Sequence, residues 1–285
     1  MEDTFLADTW QNKLETELRS RKYSHRTLEL YLYFNKLLCR TLRKTPEEIQ
    51  AEDVKLFLAD LEKNKAYSAS SINLAISGIK FFYREVYRNK NISGQRRPRQ
   101  DKRLPVVLSQ REIKKILEAE KNPKHRLLLM LVYASGLRVS EVVRLKRRDM
   151  DTDRKLINVI AGKGRKDRLT IMSVAVIETL EKYCSLYEID SWIFPGINPL
   201  QPISIRTAQR IFELASKKAG IKKNASIHSL RHSFATHLLE NGTDIRYIKE
   251  FLGHSSIRTT ERYTHVTRSN MFRITSPLDN IGREE

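Results

Sequence analysis

Cysteine is nearly missing from this chain: Cys39 and Cys184 are the only two in 285 residues, far apart and outside any CxxC pair. That excludes a disulfide framework and a cysteine-based zinc site, and leaves two reduced, partly buried thiols. Long apolar runs are also missing. The longest, Leu127 to Ala134, is far too short to span a bilayer. Met1-Glu2-Asp3 does not begin the charged-then-apolar pattern of a secretion signal. A soluble intracellular protein with no membrane partner is therefore expected. No GxxxxGK[ST] loop is present to cradle a nucleotide, and no paired carboxylates to hold magnesium. The sequence thus calls for neither cofactor nor metal. Acid is in short supply: 34 Asp and Glu stand against 53 Lys and Arg, a formal net charge of +19 with a pI of about 9.9.

The positive excess is spread along the chain, +7 over residues 1–103 and +12 over the remainder. Two basic halves suit a clamp on a polyanion better than a basic tail on an acidic body. Nucleic acid is the leading partner, because neutralised phosphates release counterions and supply most of the affinity.

Residues 1–90 read as a bundle of short helices. Phe5 to Ser20 has apolar residues at helical spacing, and Ser24 can cap a helix carrying Leu28, Tyr31, Leu32, Leu38 and Leu42. Thr45-Pro46-Glu47-Glu48 reads as a helix start, with a capping hydroxyl, a first-turn proline and acids behind it. A further helix is expected after Ser70 and Ser71, with Ile72, Ile76, Ile79, Phe82 and Tyr83 on one side. Residues 91–104 read as a basic linker, with Arg96, Arg97, Arg99, Lys102 and Arg103 poised to lie along DNA phosphates. The second unit, residues 105–285, opens with helices from Ser109 to Glu120 and from His125 to Ala134, the latter stopped by Gly136. Asp149 to Ile171 is the one β-like stretch. There Leu156 to Ile160 and Arg168 to Ile171 flank Gly162-Lys163-Gly164 as a hairpin. The fold class expected is mainly α with a small antiparallel β-sheet.

The chemistry concentrates between His228 and Tyr263. His228 and Arg231 lie three apart and share a helix face. Leu230, Phe234, Leu238 and Leu239 give that helix its buried side, and Asn241-Gly242 ends it. His254 follows Gly253 at another helix boundary, and Tyr263 comes nine residues later. With Gly136-Leu137-Arg138-Val139-Ser140-Glu141 and the Lys163 hairpin, this set resembles the tyrosine recombinase (phage integrase) family, most of all its Xer-type site-specific recombinases. The likeness covers nearly the whole chain. It implies an N-terminal helical core-binding (SAM-like) bundle followed by a tyrosine-recombinase catalytic domain.

The resemblance places the family's catalytic residues on Arg138, Lys163, His228, Arg231, His254 and Tyr263, with Glu141 at its usual supporting acidic position. Tyr263 would attack the scissile phosphorus and form a 3′-phosphotyrosyl link. A phenol with a pKa near ~10 needs a base, and His228 is the candidate. Arg138 and Arg231 would grip the non-bridging oxygens, His254 would add a hydrogen bond, and Lys163 would protonate the leaving 5′ oxygen. His232, His237 and His265 read as structural or supporting, while His25 and His125 carry no signal.

The partners implied are a double-stranded DNA recombination site and further copies of the chain in a tetrameric synapse, or a paralogous recombinase. The two units would clamp a half-site, and a C-terminal tail with Met271, Phe272 and Ile274 would contact a neighbouring subunit. The location implied is cytoplasmic and nucleoid-associated, and the role is chromosome dimer resolution. Alternatives are phage or transposon integration, relaxation like that of a type IB topoisomerase, and non-catalytic architectural binding.

Overall fold

A computed structural model describes residues 3–63, 67–88, 92, 104–160, 167–187, 189, 191–254 and 256–264. The chain forms two compact units, Met1–Lys102 and Arg103–Glu285. Lys163, His265, the linker residues Arg96, Arg97, Arg99, Lys102 and Arg103, and the tail residues Met271, Phe272 and Ile274 lie outside the described residues.

The first unit contains α1 (Asp3–Ser20), α2 (His25–Leu42), α3 (Ala51–Lys63) and α4 (Ala69–Glu85). Ser24 caps α2 by accepting from the Thr27 amide, and Ser68 caps α4 by accepting from the Ser71 amide, two residues earlier than expected. Leu14, Leu18, Phe34, Leu38, Phe57, Ile76 and Phe82 fill the core. α2 and α4 meet at Gly78, where a Cβ would lie 3.0 Å from the Tyr31 ring. The buried Asn35 amide fastens the crossing by donating to the carbonyls of Tyr31 and Gly78 at 2.8 and 3.3 Å.

The expected helix start at Thr45 is a single turn instead. The Glu48 carboxylate accepts from both the amide and the hydroxyl of Thr45, which closes the turn on itself. Ile49 is then buried. α3 begins at Ala51, with the Asp53 carboxylate accepting from the Gln50 amide and pairing with Lys44.

The second unit opens with α5 (Gln110–Ala119), which starts on a reciprocal capping box between Ser109 and Glu112. α6 (Pro123–Ser135) buries Leu127, Leu128, Leu129, Leu131 and Val132 and so runs through the core. After α7 (Val139–Val142) come three strands, β1 (Met150–Asp151), β2 (Leu156–Val159) and β3 (Arg168–Ile171). They form one antiparallel sheet in the order β1-β2-β3, and the β2–β3 register closes with Val159 opposite Arg168. α8 (Val174–Tyr187), α9 (Ile205–Lys218), α10 (Ile227–Glu240), α11 (Ile245–Leu252) and the short α12 (Ile257–Thr260) complete the unit. A single 3-10 turn, Glu261–Tyr263, follows α12.

Three hydrogen bonds position the site from behind. The Thr170 hydroxyl of β3 donates to the Ser135 carbonyl at the end of α6, 2.7 Å away. The Ser233 hydroxyl of α10 accepts from the Leu108 amide at 2.9 Å and donates to Ser229. Among the described residues no helix is long and apolar enough to cross a membrane.

Candidate active site

Two left-handed glycines set the frame. Gly136 ends α6 with φ +61°, and a Cβ there would sit 2.4 Å from the Phe234 ring. Gly253 ends α11 with φ +60°, where a Cβ would lie 2.6 Å from Cδ of Arg168. Both positions combine a backbone that favours glycine with a neighbour too close for a side chain. The chain leaves the first glycine into Leu137 and Arg138, and leaves the second directly into His254.

Arg231 of α10 is buried between these two helix ends. Its Nη1 donates to the Gly136 carbonyl and its Nη2 to the Leu252 carbonyl at 2.6 Å. The negative ends of α6 and α11 thus hold a guanidinium. Burial and the nearby charge of Arg138 push its pKa down to about 9, so it stays charged at neutral pH.

Glu141 is the anion at the centre of three arginines. Arg138 donates Nη1 to Oε1 at 2.7 Å and its backbone amide to Oε2 at 2.7 Å. Arg168 donates Nη1 to Oε1 at 2.9 Å and Nη2 to Oε2 at 2.7 Å. Arg231 Nη1 stands 3.8 Å from Oε2. Burial works to raise the Glu141 carboxyl, but the Arg168 and Arg138 donors overcome it and bring the pKa to about 2. Three cations around one carboxylate leave an excess of two positive charges, a setting that favours an incoming phosphate.

His254 lies against the same group. Its Nε2 is 3.4 Å from Arg231 Nη2, and its Nδ1 is 2.9 Å from the Thr260 hydroxyl. A guanidinium only donates, so Nε2 accepts, and the proton sits on Nδ1 facing Thr260. Burial first, then Arg231 and Arg138, lower this imidazole to about 4.

Tyr263 is 4% exposed and packs against Phe234, Ala235, Ile248 and Leu252. Burial raises its pKa, while Arg231, Arg262 and Arg138 oppose the rise. The Nδ1 of His232 meets its hydroxyl at 3.1 Å. His232 is lowered to about 4 by burial, then by His228 and Arg262, so it is a neutral partner. His228, the sequence's candidate base, lies exposed on α10 and is lowered by its surroundings and by Arg231 and Arg138.

The structure therefore brings Arg138, Glu141, Arg231, His254 and Tyr263 together. Sequence reasoning gave no role to Thr260, left Arg168 out of the site and read His232 as structural or supporting. His232 follows Arg231 directly, so it is turned about 100° around the helix from that side chain, and this turn places it on the Tyr263 side. His237, on the opposite side, contacts the Tyr133 hydroxyl at 3.0 Å. Among the described residues no three His, Cys, Asp or Glu side chains cluster as a metal site.

Known proteins match this chain in sequence and fold. The chain matches the Phage integrase family over residues 106–270 and the phage integrase N-terminal SAM-like domain over residues 10–92. Tyrosine recombinase XerA of Pyrococcus furiosus is 36% identical over 262 residues, covering 90% of this chain and 89% of that protein. The chain belongs to the phage integrase family of tyrosine recombinases. It is thus an enzyme of a family that cleaves and rejoins DNA. This recombinase is also 31% identical over 275 residues to the putative integrase/recombinase y4qK of Sinorhizobium fredii, covering 96% of this chain and 89% of that one. The crystal structure of XerA recombinase matches with a TM-score of 0.55 at 30% identity, over 98% of this chain and 99% of that one. A lambda integrase tetramer bound to a Holliday junction matches with a TM-score of 0.74 at 23% identity, over 90% of this chain and 76% of that one. That last likeness is one of fold.

Proposed function

We propose that this recombinase cuts and rejoins duplex DNA at a specific site through a covalent bond to Tyr263. The observation that carries the reading is the gathering of Arg138 and Arg231 at the buried Glu141, with His254 against Arg231 and Tyr263 within electrostatic reach of both arginines. The phenolic oxygen attacks phosphorus, the bond to the 5′ oxygen breaks, and a 3′-phosphotyrosyl ester forms. The phenolic proton passes to an imidazole, with His232 in contact at rest and His228 the candidate once DNA is bound. The departing 5′ oxygen takes a proton from Lys163. The ester retains the energy of the broken bond, so the 5′ hydroxyl can reverse the step on the same or another strand.

The arginines suit the phosphate role because several of their resting acceptors are neutral carbonyls. Arg231 donates to two helix-end carbonyls, and Arg138 reaches the Gly253 carbonyl at a long 3.4 Å. A phosphate offers both guanidiniums stronger, charge-assisted acceptors. Its negative charge also raises the His254 pKa, which allows Nε2 to carry a proton and donate.

Duplex DNA is the partner proposed for both units, 1–90 and 105–285, with Arg96, Arg97, Arg99, Lys102 and Arg103 of the segment 91–104 lying along phosphates. The excess positive charge of both regions supports this. Assembly of four copies on two duplexes is proposed by analogy with the lambda integrase tetramer on a Holliday junction. The role supported best is Xer-like chromosome dimer resolution, given the likeness to XerA. Integration of a mobile element is the second reading, favoured by the relatives named integrase/recombinase.

A nicked suicide duplex tests the chemistry: the wild type forms an SDS-resistant adduct and Tyr263→Phe forms none. Adduct formation by Tyr263→Phe overturns the nucleophile assignment. Sequencing the genomic DNA captured in adducts tests the role. A single symmetric chromosomal site supports dimer resolution, and mobile-element ends overturn it. Relaxation of plasmids that lack any such site would point to topoisomerase-like activity instead.

A further inference from the structure

Arg168 differs from the other two arginines of the cluster. It opens β3, its side chain is only 9% exposed, and three of its nitrogens are engaged by protein groups. Nε donates to the Phe251 carbonyl at 2.8 Å, and the two terminal nitrogens take one Glu141 oxygen each. The strand's alternation explains why it faces inward. Thr170, two residues on, is fully buried, while Leu169 between them is 55% exposed. Its stem also crosses Gly253, the residue before His254.

The fork matters for what Arg138 can do. A carboxylate favours a guanidinium that grips both its oxygens side by side. With Arg168 in that position, the Arg138 side chain gives Glu141 a single nitrogen. Without it, the buried carboxylate would draw Arg138 into the bidentate grip and turn its remaining donors inward. We infer that Arg168 is a positioning residue that binds no phosphate itself. It saturates Glu141 so that Arg138 keeps donors for DNA, and it fixes the end of α11 that presents His254. The inference rests on the reading of Arg138 and His254 as phosphate ligands.

The test uses the full chain, a nicked suicide duplex carrying the captured site, and the variants Arg168→Met and Arg168→Lys. The cleavage rate at saturating protein should fall about 100-fold in both, because neither can form the fork and misplacement of this kind is amplified in the rate. In an Arg138→Met background, replacing Arg168 as well should leave the salt dependence of DNA affinity unchanged, since a phosphate contact made by Arg168 itself would lower the slope of log K against log[salt] by a further amount of about 0.9. In a Glu141→Gln background Arg168→Met should add little, because it acts through that carboxylate. Additive losses, a further fall of the salt slope in the Arg138→Met background or an unchanged cleavage rate would each overturn the inference.

If the variants do not fold, wild-type guanidinium NMR decides. DNA should shift the Arg138 Nε–H resonance and leave that of Arg168 in place, and a DNA-induced shift at Arg168 would contradict its role. The parent reading fails separately: wild-type protein that forms no adduct at all overturns the Tyr263 chemistry whatever Arg168 does.

Discussion

At the scale of single residues, the site stores its reactive groups in uncharged form among fixed positive charges. His232 and His254 are both held at about 4, against an ordinary 6.5. An unfolded chain binds protons at these imidazoles before the folded one does. The stability they contribute is therefore fully present above pH 6.5 and is lost as pH falls from 6.5 through about 4. Glu141, held at about 2 against 4.5, follows the same direction in a lower window and leaves the range above pH 5 to the histidines. Urea denaturation between pH 7 and pH 5 should show this decline in the wild type and a shallower one in His254→Asn. An equal slope in both would contradict the burial argument. Tyr263→Phe should lower stability by about 1 kcal/mol for each hydrogen bond its hydroxyl makes, that to His232 among them, as read by the same method. The spacing of His228, Arg231, His254 and Tyr263 made much of this cluster legible in the sequence. Arg168 was not, because its pairing with Glu141 joins residues 27 apart in the chain, which no local spacing reveals.

At the scale of elements, the site is built where helices stop. α6 and α11 end on Gly136 and Gly253, and their final carbonyls hold Arg231. Gly253→Ala should cost more than the about 1–2 kcal/mol of a left-handed alanine, because its Cβ also meets Arg168. Gly242→Ala is the internal control: it shares a positive φ, +86°, but has nothing within 4 Å, so only the backbone term applies. Thermal unfolding of the two variants should rank them in that order, and equal shifts would contradict the packing at Gly253. The Ser24 cap and the glycine stops were readable from sequence because their partners are within a few residues, whereas the cap of α4 fell on Ser68 rather than on Ser70 or Ser71. Thr45 misled for the same local reason. Its capping chemistry is present, but Glu48 closes it into one turn and Asp53 supplies the actual helix start.

At the scale of the whole molecule, a net charge of +19 shared by both halves of the chain sets how it meets DNA. Affinity for the duplex should fall steeply with salt, by about 0.9 in log–log slope per phosphate engaged. Fluorescence anisotropy across a salt series would read it, and a flat response would remove the electrostatic basis of the partner assignment. The central claim is narrower and concerns a single bond. Wild-type protein trapped on a nicked duplex, digested with trypsin and analysed by mass spectrometry should carry the nucleotide on the peptide that begins at Tyr263. An adduct on any other residue, or none where DNA is nevertheless cut, would contradict the account.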